Sequence, residues 1–166
     1  DHGPGFDNHS DGIIGKYLSG EVRRRADVPS HMELDRETGL LYVADTGNDR
    51  VIVLDTSTGS RGSALPVMEP GTDHYEMDDA SWWTLVEGAD VNLSRPSGLA
   101  LHDGLLWVGD NRNGIIFVFD LEGTLLDWLQ LDIERDGLMG IEFDPAGNLY
   151  VVDAVADEVL RIGAGS

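Results

Sequence analysis

The chain has 166 residues, with 31 Asp and Glu against 11 Lys and Arg, a formal net charge of −20. So acidic a surface repels phosphate, which excludes nucleic acid and anionic lipid headgroups as default partners and leaves cations and cationic ligands as better ones. No run approaches the roughly 20 apolar residues of a bilayer span, so no membrane insertion is expected, and the lack of cysteine excludes disulfides, thiolate metal sites and a Cys nucleophile.

In chain order, residues 1–11 read as a linker or processed N-terminal segment. The chain opens on Asp1 rather than Met, which we take as processing or trimming. The excess of acids over a single lysine, Lys16, suits an exported protein, and an extracellular or periplasmic location is expected. Residues 12–59 form a first repeat, 60–80 an insertion loop, 81–121 a second repeat and 122–166 a third. The insertion is expected to be irregular because Pro66, Pro70 and Gly71 break any regular element.

The repeats align through three short apolar runs each. The first has 29–35, 40–45 and 50–55, the second 96–102, 105–110 and 115–120, and the third 138–144, 148–153 and 158–162. Gly98 and Gly140 lie 42 positions apart and Asp110 and Asp153 43 apart; Asp45 to Asp110 is 65, one period plus a 22-residue insertion. The runs are rich in Val, Ile, Leu and aromatics and are separated by turn sequences such as Asp144-Pro-Ala-Gly-Asn148. A fourth strand is expected ahead of each repeat start, at 14–18, 82–86 and 125–131. Three four-stranded antiparallel units with a period near 43 are the signature of β-propeller blades, and no 3.6-residue periodicity is sustained to support a helical repeat.

Val43-Ala-Asp-Thr-Gly-Asn-Asp-Arg-Val51 closely resembles the signature segment of the NHL-repeat propellers. Pro96-Ser-Gly-Leu-Ala-Leu101 and Gly147-Asn-Leu-Tyr-Val-Val-Asp153 resemble its opening and middle, and the resemblance runs over about residues 12 to 163. It implies an all-β chain carrying three NHL-type blades. Propellers close with about four to eight blades, so three need completion, either by a second copy in a six-bladed homodimeric ring or by the missing blades of a longer chain.

The resemblance also frames the candidate sites. His31 stands where the other repeats have Gly98 and Gly140. In the peptide-amidating lyases of this family histidines at a comparable place hold zinc in the channel, which gives His31 a metal-ligand reading beside a channel-lining one. Asp7-Asn-His-Ser-Asp-Gly12 offers Asp7, His9 and Asp11 as calcium ligands, although a full calcium loop fails at His9 and at Leu18, which stands where Glu is needed. The insertion supplies His74 within an acidic run, followed by Trp82 and Trp83. Together these could cap the channel mouth over a cation or sugar-like ligand, or the tryptophans could simply start a strand.

Asp45, Asp110 and Asp153 recur in every repeat, as a turn-fixing role predicts. Arg23, Arg24 and Arg25 form the sole basic cluster. No nucleophile motif, phosphate loop or dinucleotide fingerprint is present. Two readings follow: a non-enzymatic module binding a protein or small ligand through its channel face and insertion, and, implied by the resemblance, a zinc- or calcium-dependent lyase or hydrolase.

Overall fold

The computed structural model describes residues 2–3, 6–7, 13–66 and 73–163. In chain order the strands are β1 His2–Gly3, β2 Phe6–Asp7, β3 Ile13–Lys16, β4 Met32–Leu34, β5 Leu40–Asp45, β6 Arg50–Asp55, β7 Ser60–Ala64 and β8 Asp73–Asp78. They continue with β9 Trp82–Glu87, β10 Pro96–His102, β11 Leu105–Asp110, β12 Ile115–Phe119, β13 Leu125–Gln130, β14 Leu138–Phe143, β15 Leu149–Asp153 and β16 Glu158–Ile162. One helical turn, α1 Gly88–Val91, precedes β10. No helix among the described residues is long and apolar enough to cross a membrane.

Each repeat folds into its own antiparallel sheet: β4-β5-β6-β9, β10-β11-β12-β13 and β14-β15-β16. Here the expected phase is corrected. The runs at 82–86 and 125–131 were expected to lead the second and third repeats, but β9 pairs with β6 and β13 with β12. Each therefore closes the preceding sheet as its outermost strand. The physical reason is reach: the turn Asp120-Leu-Glu-Gly-Thr124 returns the chain directly alongside β12, with Asp120 Oδ1 accepting the N–H of Glu122 and Thr124. The first such run does not join the first sheet either; β3 pairs parallel with β8. The third sheet has three strands among the described residues rather than the expected four.

The insertion is also more regular than expected. β7 and β8 form a hairpin inserted between the third and fourth strands of the first sheet, and β3 extends it to the order β3-β8-β7. The central strands are near-continuous apolar runs, as in Arg50–Asp55 and Ile115–Phe119, and stacking the sheets buries both of their faces.

The core lies between sheets. Tyr42, Ala44, Val51 and Val53 of the first sheet pack against Leu99, Leu106, Phe117 and Phe119 of the second. Ala100 and Ile116 of the second pack against Leu138, Ile141, Leu149 and Val151 of the third. The inner strands β10 and β14 approach so closely that a Cβ on Gly98 would stand 2.7 Å from the Ile141 nitrogen and 2.9 Å from the Met139 oxygen, which requires glycine there.

Side-chain latches at one end repeat with the sheets. Thr46, in the turn after β5, donates to the Pro96 oxygen of the next sheet at 2.7 Å. Asn111, the same place after β11, donates to the Leu138 oxygen at 2.9 Å. The third repeat has Ala154 there, which has no side-chain donor.

Candidate functional site

The turns between second and third strands, and the segments leading into each inner strand, gather at one end of the channel. Their aspartates hold them. Buried Asp45 accepts the Arg23 N–H at 2.8 Å, Asn48 Nδ2 at 2.7 Å and Arg50 Nε at 2.8 Å. Asp110 accepts the Ser94 N–H at 3.0 Å, the Asn113 N–H at 2.9 Å and Asn113 Nδ2 at 3.0 Å. Asp153 accepts the N–H of Val155 and of Ala156. The recurrent aspartates thus fix turns. They differ in one respect: Arg50 pairs with Asp45, whereas burial without a cation in its hydrogen-bonded shell pushes the Asp110 carboxyl above its ordinary 3.8.

At this end a pocket of about 430 Å³ opens, walled by all three sheets: Arg25, Asp27 and Val28 ahead of β4, Arg95 ahead of β10, and Asp136, Met139 and Val155 of the third repeat. Arg95 is its hinge. The Arg95 N–H donates to Asp49 Oδ1 of the first repeat at 2.7 Å, and its guanidinium pairs with Asp136 of the third. Three residues of the rim, Asp27, Arg95 and Asp136, have left-handed backbones, φ 63°, 55° and 68°. For a long side chain directly before a proline that conformation is uncommon, and such positions concentrate where a structure presents groups. Behind Asp136 and Met139, fully buried Asn111 spends Nδ2 on the oxygens of Asp136 and Leu138, while its Oδ1 has no partner. The mouth thus combines two guanidiniums, two carboxylates and an apolar patch.

The predicted residues are dispersed around this mouth. His31 lies on the channel wall directly before β4, in a second pocket of about 240 Å³ with Gly140, Glu142 and Tyr150. Its Nδ1 is 3.0 Å from both the nitrogen and the oxygen of Leu99 in the next sheet. Accepting from the Leu99 N–H leaves the ring proton on Nε2, whereas donating to the Leu99 oxygen frees the Nε2 lone pair, the form a metal needs. Nearby Glu33 is held above its ordinary 4.5 by burial and then by the Glu142 charge, against the opposing charges of His31 and Arg36.

His74 is half-buried on β8 in the insertion sheet. Trp82 and Trp83 sit on β9, three strands from β4 and so about 14 Å from the inner strand at the usual strand spacing. The Arg50 guanidinium lies over Trp82, 5.6 Å from the ring centroid, and Trp83 is half-exposed. The structure does not bring this pair together with His31. Asp7 is in β2, and His9 and Asp11 lie outside the described residues. Among the described residues no three His, Asp or Glu side chains gather as a metal would require, so the zinc set implied by the resemblance does not fit what is described, and no metal chemistry is derived. Arg95, the centre of the mouth, escaped the sequence reading. Its signal was its place before Pro96, where the other repeats carry Val28 and Gly137.

No protein-family model matches the sequence, and no curated protein is found similar to it. Among solved structures, a luciferin-regenerating enzyme superposes with a TM-score of 0.60 at 15% identity, over 82% of this chain and 45% of that one. The chain is part of a β-propeller. The identity is low enough that this likeness shows the fold alone, and the chain spans less than half of the length of that enzyme. Virginiamycin B lyase from Staphylococcus aureus (TM-score 0.41, 14% identity, 81% of this chain and 55% of that one) and BamB from Moraxella catarrhalis (0.38, 15%, 78% and 42%) are more distant and carry no further argument. The three repeat sheets are blades, and the pocket at the turn end is the channel mouth.

Proposed function

We propose that the chain is an NHL-type propeller module that binds a ligand at its channel mouth, acting within a ring completed by further blades. The observation that carries this reading is the mouth pocket itself, to which all three blades contribute and which Arg95 ties together. Guanidiniums of Arg25 and Arg95 beside carboxylates of Asp27 and Asp136, over Val28, Met139 and Val155, suit a small molecule or peptide segment bearing both charges around an apolar body. NHL membership is supported by the repeat segments 43–51, 96–101 and 147–153. The acidic balance supports an extracellular or periplasmic setting, which cell fractionation tests.

The binding test is an NMR titration with short zwitterionic peptides carrying one apolar side chain, on the parent chain and on Val155→Glu. Shifts clustered at Arg25, Arg95, Met139 and Val155, lost in the variant, are expected. Shifts confined to Asp73–Asp78, or to the wall around His31, would move the site away from the mouth and overturn the assignment.

A further inference from the structure

On the outer rim, away from the channel, the first and second blades meet in a seam lined by aromatic rings. Directly paired residues on neighbouring strands carry their side chains on one face of the sheet. Trp83 pairs with Val53 of β6, while Trp128 and Leu125 pair with Phe117 and Phe119 of β12. Val53, Phe117 and Phe119 all belong to the core between the first two blades. Trp83 of β9 and Trp128 of β13 therefore look into one junction from its two walls, outside that core. They stay 41% and 58% exposed, and Leu125 is exposed beside them. In the turn before β13, a Cβ on Gly123 would run into the Leu85 oxygen of β9, so the two outer strands are pressed together there. Trp83 lies two residues before Leu85 and Trp128 five after Gly123, which places the rings roughly 25 Å apart along the seam, the reach of an extended segment of about eight residues. Completing the ring adds blades beyond the first and the third and leaves this seam as it is.

Neighbouring aromatics are covered by cations of the chain itself. The Arg50 guanidinium lies 5.6 Å from the Trp82 ring centroid and that of Arg61 4.7 Å from the Tyr75 centroid. Among the described residues no cation stands over Trp83 or Trp128. The carboxylates along the seam are uncompensated too. Asp79 in the turn before β9, Glu122 beside Gly123 and Asp127 of β13 are exposed, and among the described residues none of them pairs with a Lys, Arg or His. β13 is also the terminal strand of its sheet, so its outer side has no strand beside it among the described residues.

We propose that this seam binds an extended basic segment of a partner protein, whose backbone runs beside β13 and whose Lys or Arg side chains stack on Trp83 and Trp128 and pair with the flanking carboxylates. Charge decides the kind of partner. A second copy of a chain carrying −20 is repelled, and a neutral sugar would use the rings but leave the carboxylates unanswered.

The chain has four tryptophans, so their indole N–H signals in an NMR titration supply both the test and its internal control. The probe is a blocked octapeptide of alternating Arg and Val, added at physiological ionic strength, where long-range attraction is screened. The signals of Trp83 and Trp128 are expected to move while those of Trp82, under Arg50, and Trp107, of β11, stay. Trp83→Ala and Trp128→Ala should each weaken the peptide at least about fivefold with an unchanged far-UV spectrum, and Glu158→Gln, which removes an acid of the third blade, less than about twofold. Movement of all four indoles, or equal weakening by Glu158→Gln, would mean diffuse attraction to an acidic surface and overturn the proposal. Shifts at Arg95 and Met139 instead would put the peptide in the mouth and overturn it as well. Cellohexaose moving the Trp83 and Trp128 signals where the peptide does not would replace the basic segment with a sugar.

Discussion

The second and third blades share their repeat pattern but not their surroundings. Ile116 and Val159 stand at one repeat position, as do Gly98 and Gly140, yet in each pair the first is enclosed and the second is open. The second blade is packed on both faces, with Leu106, Val108 and Phe119 sealed against the first blade and Ile116 against the third, while the third is packed on one. Burial in this fold is therefore a property of having a neighbour, and the strength of any one repeat is set by the interfaces on either side of it.

Substitution at matched positions should expose the contrast most strongly. Ile116→Ala is expected to cost about 2–5 kcal/mol in urea unfolding, the range for buried Ile to Ala, and Val159→Ala within about 0.5 kcal/mol in the monomeric chain. Equal losses in a chain shown to be monomeric would break the comparison. A smaller effect of the same kind is expected from Gly98→Ala, at about 1–3 kcal/mol because the added methyl meets backbone of the neighbouring inner strand, against little change for Gly140→Ala.

The latch is next. Thr46→Val keeps the shape but removes the donor to the Pro96 oxygen, so that unfolding free energy should fall by about 1–2 kcal/mol. Placing a donor at the third position, Ala154→Asn, should leave the unfolding free energy of this chain unchanged, since among the described residues no further blade offers it a carbonyl.

The smallest effects concern pH. Asp110 titrates above 3.8 in the folded chain, so its contribution is fully present below 3.8 and is lost as pH rises through the folded value. The turn aspartates behave in the opposite way. Hydrogen bonds from Asn148 hold Asp144 below 3.8 and the Thr124 N–H does so for Asp120, so their contributions are present above 3.8 and are lost as pH falls through the folded values. Carboxyl titration by NMR should resolve Asp110 on one side of 3.8 and Asp144 and Asp120 on the other. Finding all three on the same side would contradict the turn geometry.

Much of the fold was legible because strand patterning, turn residues and repeat spacing are local signals. The turn Asp144-Pro-Ala-Gly-Asn148 declares itself, and its Asp144 side chain takes the N–H groups of Ala146 and Asn148 as such a turn requires. Which sheet a strand joins is not local: nothing within Trp82–Glu87 distinguishes a strand leading one blade from a strand closing the last, and the insertion hid that β6 and β9 are partners. The mouth was less legible still, because Arg25, Arg95 and Asp136 are far apart in sequence and meet only when three blades pack.

What the sequence by itself determined is the blade: its period, its turn aspartates and the short apolar runs that become its strands. What only the tertiary structure decided is the phase of the fourth strand, the meeting of Arg95 with Asp49 and Asp136, and the exposure of one valine at a position where its two counterparts are sealed. The physical reason is the range of the forces: propensity and side-chain turns act over a few residues, while burial and ion pairing act between chain segments that only packing brings together.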